Sequence, residues 1–258
     1  MRASDITNAA SRLLFDNTRV RWTAEELWTY VTEGQRSIAI LRPDAYSVTR
    51  IHRLQPGTRQ SLANIGVLGT VDTAGNVSAD HIPPASRLLR VSRNFGIGPT
   101  GGLTTFQSGS QRAIRTLGRE TLDNENPDWH ASSAVAVEHY CHDNIDPLTF
   151  YVYPGSAPPP GGQAYYVELV YSGIPRQVER DNQVLPLSDQ YLGPLLDFVM
   201  YRAYTKDANY AGNMDRARMH AAQFGSALGT SMKIEWPSAV PPEKTAPGPR
   251  TPDVSRSV

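Results

Sequence analysis

The sequence predicts an α+β protein. A four-helix bundle is built from both chain ends, an antiparallel β domain (a sandwich or a barrel) is inserted into it, and an extended arm closes the chain. Three observations carry this. Residues 187–228 repeat apolar side chains three or four apart, which puts them on one helical face each side of a polar break at 209–213. The first forty residues do the same. The middle changes to alternating and aromatic-rich stretches punctuated by Gly and Pro. The expected division is therefore 1–43 with 184–230 as the bundle, 44–183 as the β insert and 231–258 as a Pro-rich arm.

The first helix is expected over Ser4–Leu14, with Ser4 as cap, Asp5 at the positive end of the dipole, and Ile6, Ala9, Ala10 and Leu13 as its stripe. The second opens on a capping box, Thr23 with Glu26, and Trp22 can staple onto Leu27. Leu27, Tyr30, Val31, Gly34, Ile38 and Leu41 continue the spacing until Arg42-Pro43 stops it. Strands are expected at Val48–Leu54, Leu88–Arg93 and Gln111–Leu117, and a hairpin at Gly66–Ala79 with its turn near 74–76. Arg119–Asn124 suits one helical turn. Val135–His142, Leu148–Tyr153 and Tyr165–Tyr171 read as a three-stranded antiparallel meander, with Val135, Val137, His139 and Cys141 on one side of the first strand. The closing hairpin carries Leu192, Leu195, Leu196, Val199, Met200 and Ala203, then Met214, Ala217, Ala221, Phe224 and Leu228. Pro194 suits a helix start, so 188–193 is expected as a separate turn. Beyond Pro237 the composition cannot build a core.

Composition narrows the function. Lys+Arg and Asp+Glu are 25 each, so no global charge draws the chain to nucleic acid. The start lacks the basic and apolar regions of a signal peptide, and no run approaches the ~18 apolar residues of a membrane helix. The single cysteine, Cys141, excludes an internal disulfide and fits a reducing compartment. Catalytic signatures are weak. Gly96–Gly102 contains Pro99 and opens no helix, unlike a phosphate cradle. Glu138–Asp143 holds metal-type residues, but in a strand His139 and Cys141 face one way and Glu138, Tyr140 and His142 the other. No cofactor or metal is expected. Trp129 with the Tyr-rich strands (Tyr151, Tyr153, Tyr165, Tyr166, Tyr171) offers either sugar-stacking surface or buried anchors. The arginines of the middle, among them Arg50, Arg53, Arg93, Arg112 and Arg119, suit interfaces, phosphate contacts or solvated faces.

The order of segments carries more. VRWTAEELWTYVTEGQRSI and LRPDA are followed by PGTRQSL, NPDWH, VEHYCHDNIDPLTFYVYP, VELVYSGIP and YLGPLLDFVMYRAYTKDANYAGN. Over roughly residues 4–229 this resembles the head–tail connector (adaptor) proteins of tailed phages, and it is similar to the tail tubular or gatekeeper proteins of short-tailed phages. The resemblance implies a non-enzymatic virion protein that is made in the host cytoplasm and forms a twelve-fold ring at the neck. Its partners would be the portal protein, tail or nozzle proteins, and DNA passing through without sequence-specific binding. Closure by rotation is how such heterologous contacts make rings. The bundle would face the portal. Candidate portal or subunit contacts are Ile234 and Trp236 in the arm and the polar residues Arg202, Lys206, Asp207, Arg216 and Arg218. The competing reading is a carbohydrate-binding or depolymerising β module of a tail accessory protein, using Trp129 and the tyrosines. A nucleic-acid module using the arginines is a third.

Overall fold

The computed structural model describes residues 1–66, 81–99, 107–108, 112–161, 163–210 and 212–229. The expected 66–79 hairpin falls almost wholly outside these residues, as does the arm with Ile234 and Trp236. The fold is mixed α+β. Among the described residues there are five α-helices: α1 (Ala3–Leu13), α2 (Ala24–Leu41), α3 (Arg119–Glu125), α4 (Leu192–Lys206) and α5 (Asn213–Ala227). The strands are β1 (Ser47–Arg53), β2 (Gly57–Ser61), β3 (Ala85–Pro99), β4 (Gln107–Ser108), β5 (Arg115–Thr116), β6 (Ser133–Ala134), β7 (His139–His142), β8 (Thr149–Ser156) and β9 (Gln163–Gly173).

Helices from both chain ends share one apolar cluster. Ile6 and Ala10 of α1, Leu27, Val31 and Ile38 of α2, Leu195 and Val199 of α4, and Phe224 of α5 are all buried in it. α4 is the hub, packed against α5, α2 and α1, whereas α5 leans chiefly on α4. The contact of α2 with α4 is close because Gly34 lacks a side chain: a Cβ there would lie 2.6 Å from Leu195 Cδ1 and 2.9 Å from Phe198 Cδ1. Thr23 caps α2 as its pattern predicts, its Oγ1 accepting from Glu26 N. α1 begins one residue earlier than expected. Its first turn is closed by Asp5, whose carboxylate accepts from Arg2 N at 2.6 Å, so Ser4 is not the cap. Instead Ser4 N donates to Asp181 O, and Ala3 N to Gln183 O. The chain start is thus tied to the segment after β9. α4 follows a 3-10 turn at Asp189–Tyr191 and starts at Leu192, two residues before Pro194. Pro194 still sits within the first turn, where a missing N–H is harmless.

The β segment forms two sheets. One is antiparallel, in the order β1-β9-β3-β4; the other runs β2-β8-β7-β5, with β6 paired to β8. The β5–β7 and β6–β8 pairs are parallel, so the insert is not purely antiparallel as expected. The predicted meander also divides. β7 pairs with β8, but β9 crosses to the other sheet and lies between β1 and β3. β9 is the centre of this sheet, and most of its side chains are buried. Leu88, Val91, Tyr140, Phe150, Val152, Val167, Leu169 and Tyr171, drawn from both sheets, share a second apolar cluster.

β7 is shorter than Val135–His142 and does not alternate between buried and exposed. Asn94 occupies the backbone of Val137: its Nδ2 donates to Val137 O at 2.7 Å and its Oδ1 accepts from Val137 N at 2.9 Å. The strand then has cover on both faces. Tyr140 joins the sheet cluster, while Cys141 packs with Leu122 and Trp129 beneath α3. The expected 111–117 strand is divided between partners: Ala113 bridges Arg93 of β3, with Asn94 N donating to Arg112 O at 2.9 Å and Ile114 N to Ser92 O at 3.0 Å, and only Arg115 and Thr116 pair with β7.

Candidate assembly surface

The end of the helical region remote from the sheets is built around the α1–α2 connector. Phe15 and Arg19 adopt φ of 56° and 54°, a left-handed conformation that costs non-glycine residues energy. Asp16 organises the turn, its carboxylate accepting from Val20 N (3.0 Å), Arg21 N (2.9 Å) and Trp22 N (2.9 Å). The Trp22 bond foremost, helped by those of Val20 and Arg21 and by the Arg21 charge, holds this carboxyl below its usual range against the effect of burial. Arg19 reaches Asp181 Oδ2 at 2.6 Å, Thr7 Oγ1 at 3.0 Å and Asn8 Oδ1 at 2.9 Å. Held this way, the connector leaves Phe15 95% and Val20 79% exposed, next to the half-exposed Leu13.

Asp181 is the clamp behind this end. Besides Arg19 it accepts from Thr7 Oγ1 (2.8 Å) and Trp28 Nε1 (2.9 Å), joining α1, the connector and α2 to the segment after β9. Burial alone would raise its pKa, but the bonds from Trp28, Arg19 and Thr7 outweigh that and hold it low. The folded chain therefore binds this proton less readily than the unfolded chain. The stabilisation is present above the unfolded pKa and is lost as pH falls through the folded one. Asp181→Ala is expected to cost about 2 kcal/mol, a figure kept low because solvent screens a half-exposed carboxylate. Thermal unfolding at neutral pH should show a midpoint lower by roughly 4–8 °C. The difference from the parent should narrow on acidification.

The five polar residues picked out from the sequence lie on α4, α5 and their junction, and each is engaged within the chain. Arg202 Nε lies 3.0 Å from Glu33 Oε2, and its guanidinium sits over the Tyr30 ring. Lys206 Nζ donates to Glu26 Oε2 at 2.6 Å and Arg21 O at 3.0 Å. Asp207 pairs with Arg21. Arg218 pairs with Asp215 at 3.1 Å, and Arg216 lies over Tyr204. The Glu26 carboxyl, pushed up by burial, is drawn below its usual range by Lys206 and Tyr30. Burial, then Glu26, pushes the Tyr30 hydroxyl well above its own range. The first three of these side chains tie the α4 end to α2 and the connector. The 15–22 turn escapes a periodicity search because its information lies in positive φ and side-chain-to-backbone bonds. The Asp16 spacing to three following N–H groups is its only legible trace.

The other candidate chemistry resolves into packing. Trp129 is fully buried, stacked on His130 with centroids 3.6 Å apart, edge-on to Tyr151, and donates from Nε1 to Asp123 Oδ1 at 2.7 Å. It presents no face to a sugar. Tyr165, Tyr166 and Tyr171 are buried in or beside the sheet core. Cys141 is buried, which pushes its thiol up and away from the reactive thiolate. A cleft of about 460 Å³ beside it is lined by Arg119, Asp123, Asp143 and Tyr151, among others. No group of three or more His, Cys, Asp or Glu able to hold a metal occurs among the described residues. Three of the arginines pair internally: Arg93 with Glu168 at 2.7 Å, Arg112 with Glu138 at 2.8 Å and Arg119 with Asp123 at 3.6 Å. No described helix is long and apolar enough to cross a membrane.

The profile of the SU10 adaptor protein family matches residues 1–246, nearly the whole chain. The chain belongs to this family of phage head–tail adaptors, and is thus a phage structural adaptor. A comparison with curated proteins returned no match.

Proposed function

We propose that the chain forms a closed ring, twelve-fold by the resemblance, at the phage neck. The ring sits between the portal and the tail or nozzle proteins and continues the DNA channel. Family membership over residues 1–246 is the observation that carries this reading. The helices of 1–43 and 184–230 act as a four-helix bundle facing the portal, and 44–183 forms the β domain on the outward or tail-side surface. The arm, 231–258, lies along the portal or a neighbouring copy with Ile234 and Trp236 as anchors. Arg202, Lys206, Asp207, Arg216 and Arg218 contribute through the surface left outside their internal pairs. The separate helical and sheet clusters support the division, although Val178 and the 3-10 turn at Pro43–Tyr46 straddle its boundary by packing on the helical cluster. Equal numbers of cationic and anionic residues suit a channel that DNA must traverse without being gripped. The protein works in the virion after assembly in the host cytoplasm. Native mass measurement of the purified protein, alone and with its portal, tests the reading: a closed ring is expected, and a monomer that stays monomeric with the portal contradicts it.

A further inference from the structure

We propose that the α1–α2 connector is a docking knob whose Phe15 and Val20 enter an apolar, uncharged socket on the protein ring that meets the helical end. This rests on the adaptor reading above and assigns the contact to one turn of the chain. Three observations point to it. Phe15 and Val20 are the two most exposed large apolar side chains at this end, and Tyr210, 70% exposed, lies on the α4–α5 connector beside it. The two connectors are joined by the Arg21–Asp207 pair and by Lys206 Nζ on Arg21 O. The display is tied by hydrogen bonds: Val20, Arg21 and Trp22 N donate to the Asp16 carboxylate, and the left-handed Arg19 is clamped to Asp181. A side chain held outward before binding lowers the ordering cost of binding.

The surrounding charges identify the occupant. Arg19, Arg21 and Lys206 are paired with Asp181, Asp207 and Glu26, and the exposed Arg12 in the last turn of α1 is balanced in number by the Asp16 carboxylate, which keeps its charge while accepting three backbone N–H bonds. A surface without a net cationic field has nothing for nucleic-acid phosphate or an anionic bilayer to hold. What remains is an apolar knob with neutralised borders, the form of a protein hot spot. Phe15 and Val20 lie beyond the last turn of α1, at the end of the helical region rather than on a helix flank. On the adaptor reading, in which the helical end faces the portal, this position meets the portal rather than a neighbouring copy.

The test uses the full chain carrying Phe15→Asn and Val20→Ser, with asparagine chosen because it tolerates the left-handed conformation at position 15. Ring mass and unfolding midpoint should match the parent, while affinity for the purified portal of the same phage falls about thirtyfold or more, the scale of hot-spot truncation. Unchanged portal affinity overturns the proposal. So does loss of the ring with the fold intact, which would make the turn a contact between copies. A parent chain that forms no ring and binds no portal removes the adaptor reading itself, and that outcome is visible before any variant is made.

Discussion

Replacing Asn94 with alanine is expected to destabilise the protein by about 2–4 kcal/mol, because it strands backbone groups that have no water to turn to. Asn94 is 5% exposed and Val137 is 1% exposed. The amide of Asn94 is the partner of both Val137 N and Val137 O, and it also donates to Arg112 O. One side chain of β3 thereby stands in for a missing strand neighbour and holds the chain that enters β7 in the second sheet. Alanine leaves the Val137 N–H and C=O unpaired in a low-dielectric interior, where such groups cost most. The midpoint of thermal unfolding should fall by roughly 4–15 °C. Asn94→Asp is the informative companion. Its carboxylate still accepts from Val137 N but faces Val137 O without a proton to donate, so at neutral pH it should be at least as damaging as alanine. Acidification toward its pKa should restore part of the loss. An aspartate variant as stable as the parent at neutral pH would show that the clip does not govern the sheet pairing.

Trp129→Ala is expected to have the larger effect, about 3–5 kcal/mol, the usual range for emptying a buried aromatic site. The indole is the centre of the small cluster formed with Leu122 and Cys141, with Leu117, Tyr151 and Tyr153 around it. It also anchors α3 through Asp123. Removal opens a cavity between α3 and the outer face of β7 and β8. Hydrogen exchange should therefore rise first at 117–131 and along β7, before the helical region responds. Trp129→Phe keeps most of the volume and loses only the bond to Asp123, so its cost should be near 1 kcal/mol. The competing carbohydrate reading makes the opposite forecast: a stacking platform could be truncated with little change in stability and a loss of glycan binding.

The helices were legible because each buries one stripe, and a stripe leaves a period of three to four in the sequence. The Thr23–Glu26 cap of α2 was legible for the same local reason. The sheets were read less well where burial is two-sided or partners are distant. β7 loses its alternation because Tyr140 and Cys141 face different clusters. β9 reads like the third strand of a meander, yet a residue pattern cannot say which sheet a buried strand joins, and the connection from β8 to β9 is long enough to allow the crossing. Arg202, Lys206 and Asp207 were identifiable as polar positions, but not as partners of Glu33, Glu26 and Arg21, which lie far away in sequence. Asp181 and the left-handed turn at Phe15 were missed altogether, because a hub of side-chain bonds and a positive φ have no periodicity.

The adaptor reading is tested most directly by electron microscopy of the purified protein incubated with the portal of its phage. The account predicts a closed ring coaxial with the portal, its helical region and the Phe15–Val20 turn facing the portal rim, and its sheets on the far side. A complex in which the sheets face the portal would contradict the assigned polarity. A chain that remains monomeric and leaves the portal bare would contradict the account as a whole.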